Sequence, residues 1–339
     1  MTHLINQALA LSTSFPVTHR TSAGGVERWA VIMAGGDGTR LRSLTRKIAG
    51  DDRPKQFCRI LGEATLLDQT MSRVGLSVPA AQTMFAFTRS HESFYESYLS
   101  YVPRTQMVIQ PKNAGTAPAI LYSLLRLARV NPAAAVAFFP SDHYVSDNAV
   151  FMSYVESAFD ITETRTDLVI LLGIEPDGPE AEYGWIEPVS PALTKNPDAL
   201  SWVRRFWEKP TPELANKLMA RGCLWNSFVM VGKVCAFLEM IRRASPDLYD
   251  RFGAIEPDIG TDNEQDMARS LYSQLPDINF SRHILAARPR DLAVLPVTGL
   301  RWRDLGKPQR VLSTLADIGV KPAQAHVWNS ALRLEATLA

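Results

Sequence analysis

The stretch Trp29–Phe57, WAVIMAGGDGTRLRSLTRKIAGDDRPKQF, passes from an apolar run through glycines into alternating charges. Glycine-rich turns that follow strands commonly hold phosphates. Neither common loop pattern fits this one. A dinucleotide fingerprint needs a further glycine after G-x-G, yet Gly36-Asp37-Gly38 is followed by Thr39-Arg40-Leu41. A P-loop needs Lys-Ser/Thr after its last glycine, and that pair is missing here. What remains is a strand and a pliant turn, Gly35, Gly36, Gly38 and Thr39, whose N–H groups can crowd around an anion beside Arg40. Downstream, RPKQF adds Arg53 and Lys55. Basic groups around a nest of amides suit a triphosphate, whose repulsion must be neutralised before a nucleophile can approach. A solvated surface turn is the plainer alternative; the basic RPKQF segment tips the balance toward phosphate.

Working outward, strand-like runs recur at Trp29–Ala34, Thr83–Thr88, Gln106–Gln110, Ala134–Pro140 and Leu168–Ile174. Continuous apolar runs of this length suit strands buried on both faces of a parallel sheet. Helical stretches lie between them. One starts at Thr65 as N-cap and stops at Gly75, and another is TAPAILYSLLRLARV, with Arg126 and Arg129 near its end. This alternation predicts an α/β fold with a twisted, mostly parallel sheet and ligands at the carboxyl ends of its strands. EYGWIEPV and SWVRRFWEKP read instead as two extended segments around a proline-rich turn, an antiparallel insertion carrying part of a pocket. A last short run, LAVLPV, covers Leu292–Val297.

With 36 Lys+Arg against 35 Asp+Glu in 339 residues, the chain has no global field to attract nucleic acid or anionic lipid. Anionic ligands must be recruited by local clusters. Cys58, Cys223 and Cys235 form no C-x-x-C and leave an odd count, which argues against a disulfide framework or zinc site and fits a reducing cytoplasm. No run approaches the roughly 18 apolar residues that cross a bilayer. The opening residues have no basic segment followed by an apolar core, so they do not read as a secretory signal. The expected organisation is a flexible arm over 1–28, a domain over 29–315 with halves at about 29–165 and 166–315, and a tail over 316–339.

Further along, AVAFFPSDHYVSD places Asp142 just past a strand end, and RWRDLGKPQR carries Asp304 between Trp302 and Gly306. Read alone, the first is a turn or cap residue and the second a partner for Arg301 or Arg303. RRFWEKP contributes Glu208 and Lys209, EYGWIEPV contributes Tyr183 and Gly184, and LWNSFVMV contributes Asn226. QPKNAGTAPAI supplies Gln110 and Thr116, an amide and a hydroxyl able to hydrogen-bond a ligand.

In this order and spacing, the motifs resemble those of the sugar-1-phosphate nucleotidyltransferases, above all bacterial mannose-1-phosphate guanylyltransferases (GDP-mannose pyrophosphorylases). That family carries a strand followed by A-G-G-x-G-T-R-L and P-K-Q-F, then P-S-D-H, Y-G-Y-I, E-K-P, W-N-S-G and W-x-D-x-G. The resemblance implies a Rossmann-like three-layer nucleotidyltransferase fold with a mixed, mostly parallel sheet and a small antiparallel sugar-binding insertion. It implies GTP and mannose-1-phosphate as substrates, with Mg²⁺ held by Asp142 and Asp304. Arg40 and Lys55 would neutralise the triphosphate, while Lys209 would grip the sugar phosphate. Gly35, Gly36, Gly38, Thr39, Gln110 and Thr116 would bind the nucleotide; Tyr183, Gly184, Glu208 and Asn226 would bind the sugar. No nucleic-acid or membrane partner is implied, and a homodimer is left open. The resemblance spans about 29–315, with no room for the isomerase domain of longer relatives.

Departures also stand out. Arg42-Ser43 replaces the usual Trp-Pro, RKIAGDD lengthens the spacer and is expected to lengthen the loop over the triphosphate, Ala114-Gly115 replaces Arg-Asn, and Phe228 replaces a glycine. The rivals are a nucleotidyltransferase for another sugar or nucleotide, a non-catalytic regulator binding a sugar nucleotide, and a glycosyltransferase. The last is disfavoured because no D-x-D occurs in the chain.

Overall fold

Strand β1 (Arg28–Met33) shows why the opening run decides the architecture. Its residues alternate between faces: Trp29 and Val31 join one core with Met84, Val136 and Val169, while Ala30 and Ile32 join another with Phe85, Ala137 and Ile170. A strand apolar on both faces needs cover on both, and helices supply it. The computed structural model describes residues 26–190 and 200–319. The other ten strands are β2 (Thr83–Thr88), β3 (Met107–Gln110), β4 (Ala135–Pro140), β5 (His143–Val145), β6 (Val169–Ile174), β7 (Gly184–Pro188), β8 (Ser201–Glu208), β9 (Leu224–Lys233), β10 (Leu292–Val297) and β11 (Trp302–Asp304).

Nine of the eleven strands form one sheet in the order β3-β2-β1-β4-β9-β6-β10-β8-β7, and β5 pairs with β11 separately. β3, β2, β1 and β4 run parallel, as do β6 and β10. β9 lies antiparallel between β4 and β6, making the sheet mixed as expected. Helices Leu66–Val74, Glu92–Leu99 and Asn148–Thr164 cover one face; Thr116–Val130, Val234–Ala244, Pro246–Gly253 and Glu264–Ser273 cover the other. The antiparallel insertion is the β7–β8 pair, with β7 also laid against the start of β9. Part of its expected proline-rich turn, residues 191–199, lies outside the described residues. No helix among the described residues is long and apolar enough to cross a membrane.

Register positions the site. Met33 pairs with Pro140 at the ends of β1 and β4, and Thr88 pairs with Gln110 at the ends of β2 and β3. Gly35, Gly36, Ser141 and Asp142 therefore emerge at one carboxyl edge, where a mostly parallel sheet binds ligands.

The insert reads differently in three dimensions. Residues Arg42–Ala49 are a helix, ended at Gly50 with φ 80°, and not a lengthened loop. Leu44 of that helix packs with Leu305, Val311 and Leu315 in a satellite core, which docks it against the last helix, Pro308–Asp317. Arg46 pairs with Asp52 at 2.6 Å, and Arg53 grips Asp51 through Nε and Nη2, both at 2.8 Å. Arg53 is thus tied to the insert's own acid and is absent from the cavity lining. The last helix runs two residues beyond the expected boundary at 315. Of the expected arm and tail, residues 1–25 and 320–339 lie outside the described residues.

Thr65 caps the helix Leu66–Val74 in a capping box with Asp68. Arg126, expected only to complement a helix end, instead meets the buried Glu264. That carboxylate also accepts from the Tyr122 hydroxyl at 2.7 Å and the Gly260 N–H at 2.8 Å. Burial alone would raise the Glu264 pKa, but these donors and the Arg126 charge outweigh it and hold it below the ordinary value. A depressed folded pKa stabilises the fold above the unfolded value, and the contribution disappears as pH falls through the folded one. Glu264→Gln should lower unfolding free energy by about 3 kcal/mol at pH 7 and flatten the acid limb of the stability curve. Urea melts from pH 3 to pH 7 measure both; unchanged stability at pH 7 would contradict this account.

Candidate active site

A cavity of about 420 Å³ opens at the carboxyl edge of the sheet. Gly35, Gly36, Arg40, Gln110 and Thr116 line it together with Tyr183, Gly184, Glu208, Lys209, Asn226, Asp142 and Asp304. Gly38, Thr39 and Lys55 are not among the lining residues. Gly38 turns in the left-handed region (φ 58°), where an added Cβ would press to 3.1 Å from the Lys55 nitrogen. It folds the loop back onto Pro54-Lys55.

Lys55 lies behind the wall and joins its two acids. Its ammonium is 3.1 Å from Asp142 Oδ2 and 3.4 Å from Asp304 Oδ1, and it donates to the Leu305 carbonyl at 3.1 Å. Only 7% of the residue is exposed. Burial would lower its pKa, but the two carboxylates outweigh that and raise it, so Lys55 stays charged. Burial would raise Asp304, yet the charges of Lys55, Arg40 and Arg310 help bring it down to about 2. His143 pairs with Asp304 in the β5–β11 ladder, sets its ring edge-on to Trp302 at 4.9 Å, and is pushed toward the neutral form by burial.

Two carboxylates that converge on the Lys55 ammonium are also the donor type Mg²⁺ uses: one or two acids, with phosphate oxygens and water completing the shell. No group of three or more His, Cys, Asp or Glu that could hold a metal occurs among the described residues.

The glycine loop is anchored from outside. Gln56 donates to the carbonyls of Ala34 and Gly36, both at 2.9 Å, and Thr88 Oγ donates to the Gly35 carbonyl at 2.8 Å. Asp37 meets His91 Nε2 at 3.0 Å and accepts from Asn113 Nδ2 at 2.8 Å. With their carbonyls engaged, the loop's backbone is held in shape ahead of any ligand.

Sequence reasoning missed several neighbours. Arg310 stacks over Tyr183 at 4.3 Å, pairs with Glu180 at 2.7 Å and approaches Asp304 Oδ2 at 3.6 Å. Glu182 takes Lys307 at 2.7 Å and Arg40 at 3.6 Å. Asp277, Asn279 and Ser281 also line the cavity. They are brought there because the Ala117 N–H donates to the Ile278 carbonyl at 2.9 Å and the Phe280 N–H donates to Thr116 Oγ at 2.8 Å. The signal available was the W-x-D-x-G motif: a Cβ on Gly306 would lie 2.8 Å from Arg40 Nη2 and 3.0 Å from both Asp304 oxygens, so the motif reserves space for those charges. Phe228, in place of a glycine, holds φ 60° and lines the cavity.

Comparison with known proteins places the chain in a family. The family model described as nucleotidyl transferase matches residues 29–319. The alginate biosynthesis protein AlgA of Pseudomonas syringae pv. tomato is 28% identical over 304 residues, covering 88% of this chain and 59% of that protein. Mannose-1-phosphate guanylyltransferase of Escherichia coli K12 is 26% identical over 308 residues, covering 88% of this chain and 61% of its own length. The chain thus spans less than two thirds of these curated relatives. A crystal structure described as mannose-1-phosphate geranyltransferase from Thermus thermophilus superposes with a TM-score of 0.71 at 26% identity, covering 85% of this chain and 79% of that one. With a family match running from β1 to the last helix, the chain belongs to the nucleotidyl transferase family.

Proposed function

We propose that the chain transfers a guanylyl group from GTP to mannose-1-phosphate, giving GDP-mannose and pyrophosphate, with Mg²⁺ as cofactor. The observation that carries this reading is the meeting of Asp142, Asp304 and Lys55 beside the anchored glycine loop, at the floor of a cavity that also holds Glu208 and Lys209. The relatives named mannose-1-phosphate guanylyltransferase support the choice of sugar and base.

In this reading a phosphate oxygen of the sugar 1-phosphate attacks the α-phosphorus of GTP, and the bond to the bridging oxygen breaks to release pyrophosphate. Asp142 and Asp304 would hold Mg²⁺, which supplies charge neutralisation on the phosphate oxygens. Arg40, about half exposed, is free to swing from Glu182 and Asp304 onto the triphosphate. Lys209 holds the incoming phosphate, and Glu208 and Asn226 receive sugar hydroxyls. Burial raises the Glu208 pKa against the pull of Lys209 and Arg282, which suits a group that hydrogen-bonds neutral hydroxyls. Gln110 and Thr116 face the base. No residue forms a covalent bond to substrate, so rate comes from positioning and charge.

Four nucleoside triphosphates assayed against a set of sugar 1-phosphates, with pyrophosphate release as readout, test the substrate assignment. GTP with mannose-1-phosphate should give the highest kcat/KM; inertness of that pair beside turnover of another would refute it. Binding of GDP-mannose with no turnover of any pair would favour the regulatory reading instead. Asp142→Asn should cut turnover at least about a hundredfold, equivalent to roughly 3 kcal/mol of transition-state stabilisation, without unfolding the chain. Near-normal activity in that variant would remove Asp142 from the metal site.

A further inference from the structure

Among the described residues, the non-glycine residues with positive φ are Lys209 at 47° and Phe228 at 60°. Both line the same cavity. Left-handed backbone is unfavourable for a bulky side chain, and it persists where the surroundings over-determine it, most often at binding sites.

Three local features impose it at Phe228. The Phe228 N–H donates to Asn226 Oδ1 at 3.1 Å, curling the chain back on its neighbour. Ser227 Oγ donates to the Leu172 carbonyl at 2.6 Å and accepts from the Val229 N–H at 3.1 Å, pinning the turn from within the sheet. The β6–β9 register shifts at this point: Leu171 pairs with Met230, whereas Gly173 pairs with Asn226. A bulge of this kind re-aims one side chain out of the strand's alternation.

Phe228 lines the cavity that Glu208, Lys209 and Asn226 also line, and it packs partly against the apolar core. Around Gly184 the wall is tightly spaced: an added Cβ would lie 3.0 Å from Phe206 Cζ, 3.2 Å from Glu208 Oε2 and 3.3 Å from Asn226 Cβ. A glycine at position 228 would satisfy the backbone without strain. The aromatic ring is therefore held in place by the surrounding hydrogen bonds, against the preference of its own backbone.

We propose that Phe228 is a specificity-determining residue. It narrows the sugar subsite, packs on an apolar face of a hexose ring, and rejects sugar 1-phosphates carrying a bulky substituent on that side. The proposal rests on the nucleotidyltransferase reading and specifies which sugars that site admits. An aromatic wall has no donor or acceptor for an added acetamido or acyl group, and it fills the volume such a group needs.

The test compares the full-length wild-type chain with Phe228→Gly and Phe228→Ala. The readout is kcat/KM for mannose-1-phosphate and for analogues enlarged at C2, C4 or C6, by pyrophosphate release. Both variants should raise the ratio of at least one enlarged analogue to mannose-1-phosphate by about tenfold or more. A smaller change for every analogue would overturn the proposal. Phe228→Ala carries this readout should Phe228→Gly not fold. Thermal melts add a second readout: Phe228→Gly should unfold at a higher temperature than Phe228→Ala, because only glycine is at ease in the left-handed region. A glycine variant no more stable than the alanine variant would contradict the enforced geometry. Wild-type protein that turns over no nucleotide–sugar pair would overturn the underlying nucleotidyltransferase reading, and this proposal with it.

Discussion

One buried cation holds the site together. Lys55, from the segment after the glycine loop, sits between Asp142 at the end of β4 and Asp304 on β11. Two acids brought this close in a partly dry pocket would repel, and one of them would take up a proton. Lys55 keeps Asp304 anionic in spite of burial, with Arg40 and Arg310 adding to its effect. The ammonium also donates to the Leu305 carbonyl, so the charge that organises the acids fixes the chain that carries one of them. The Lys55–Asp304 contact joins residues 249 positions apart in the chain.

Rigidity around this centre comes from side chains that satisfy loop carbonyls. Gln56, next in sequence to Lys55, donates twice into the glycine loop, while Asp37 is held by His91 and Asn113. The satellite core of Leu41, Leu44, Leu305 and Val311 then fastens the segment after the loop to the last helix. A loop shaped in advance can present its N–H groups without the reorganisation that makes flexible anion sites weak.

Much of the fold was legible in the sequence because its signals are local. The runs at Thr83–Thr88 and Leu292–Val297 became β2 and β10 with the same bounds, and Thr65 proved to be the N-cap it resembled. Part of the site was legible for a related reason: the glycine loop, Gln110 and Asp142 follow or end parallel strands, whose register brings those ends together. What escaped reading depends on distant partners. RKIAGDD looked like extra loop because its helix is stabilised by docking Leu44 against Val311 and Leu315, which no local pattern announces. Arg310 and Glu182 occur as ordinary charges until the last helix folds over Tyr183. Arg53 looked like a phosphate ligand by sequence distance, but Asp51 is nearer and takes it. Phe228 signalled only a reshaped wall, since a backbone angle cannot be read from composition.

A double-mutant cycle on Lys55 and Asp304 tests the central interaction most directly. Unfolding free energies of Lys55→Met, Asp304→Asn and the double variant give the coupling between the two side chains. If Lys55 exists to hold the paired acids together, Lys55→Met alone should cost about 3 kcal/mol or more, and substantially less once Asp304 is already neutral. Additivity of the two single changes to within about 0.5 kcal/mol would mean that Lys55 and Asp304 act independently, and would contradict the account.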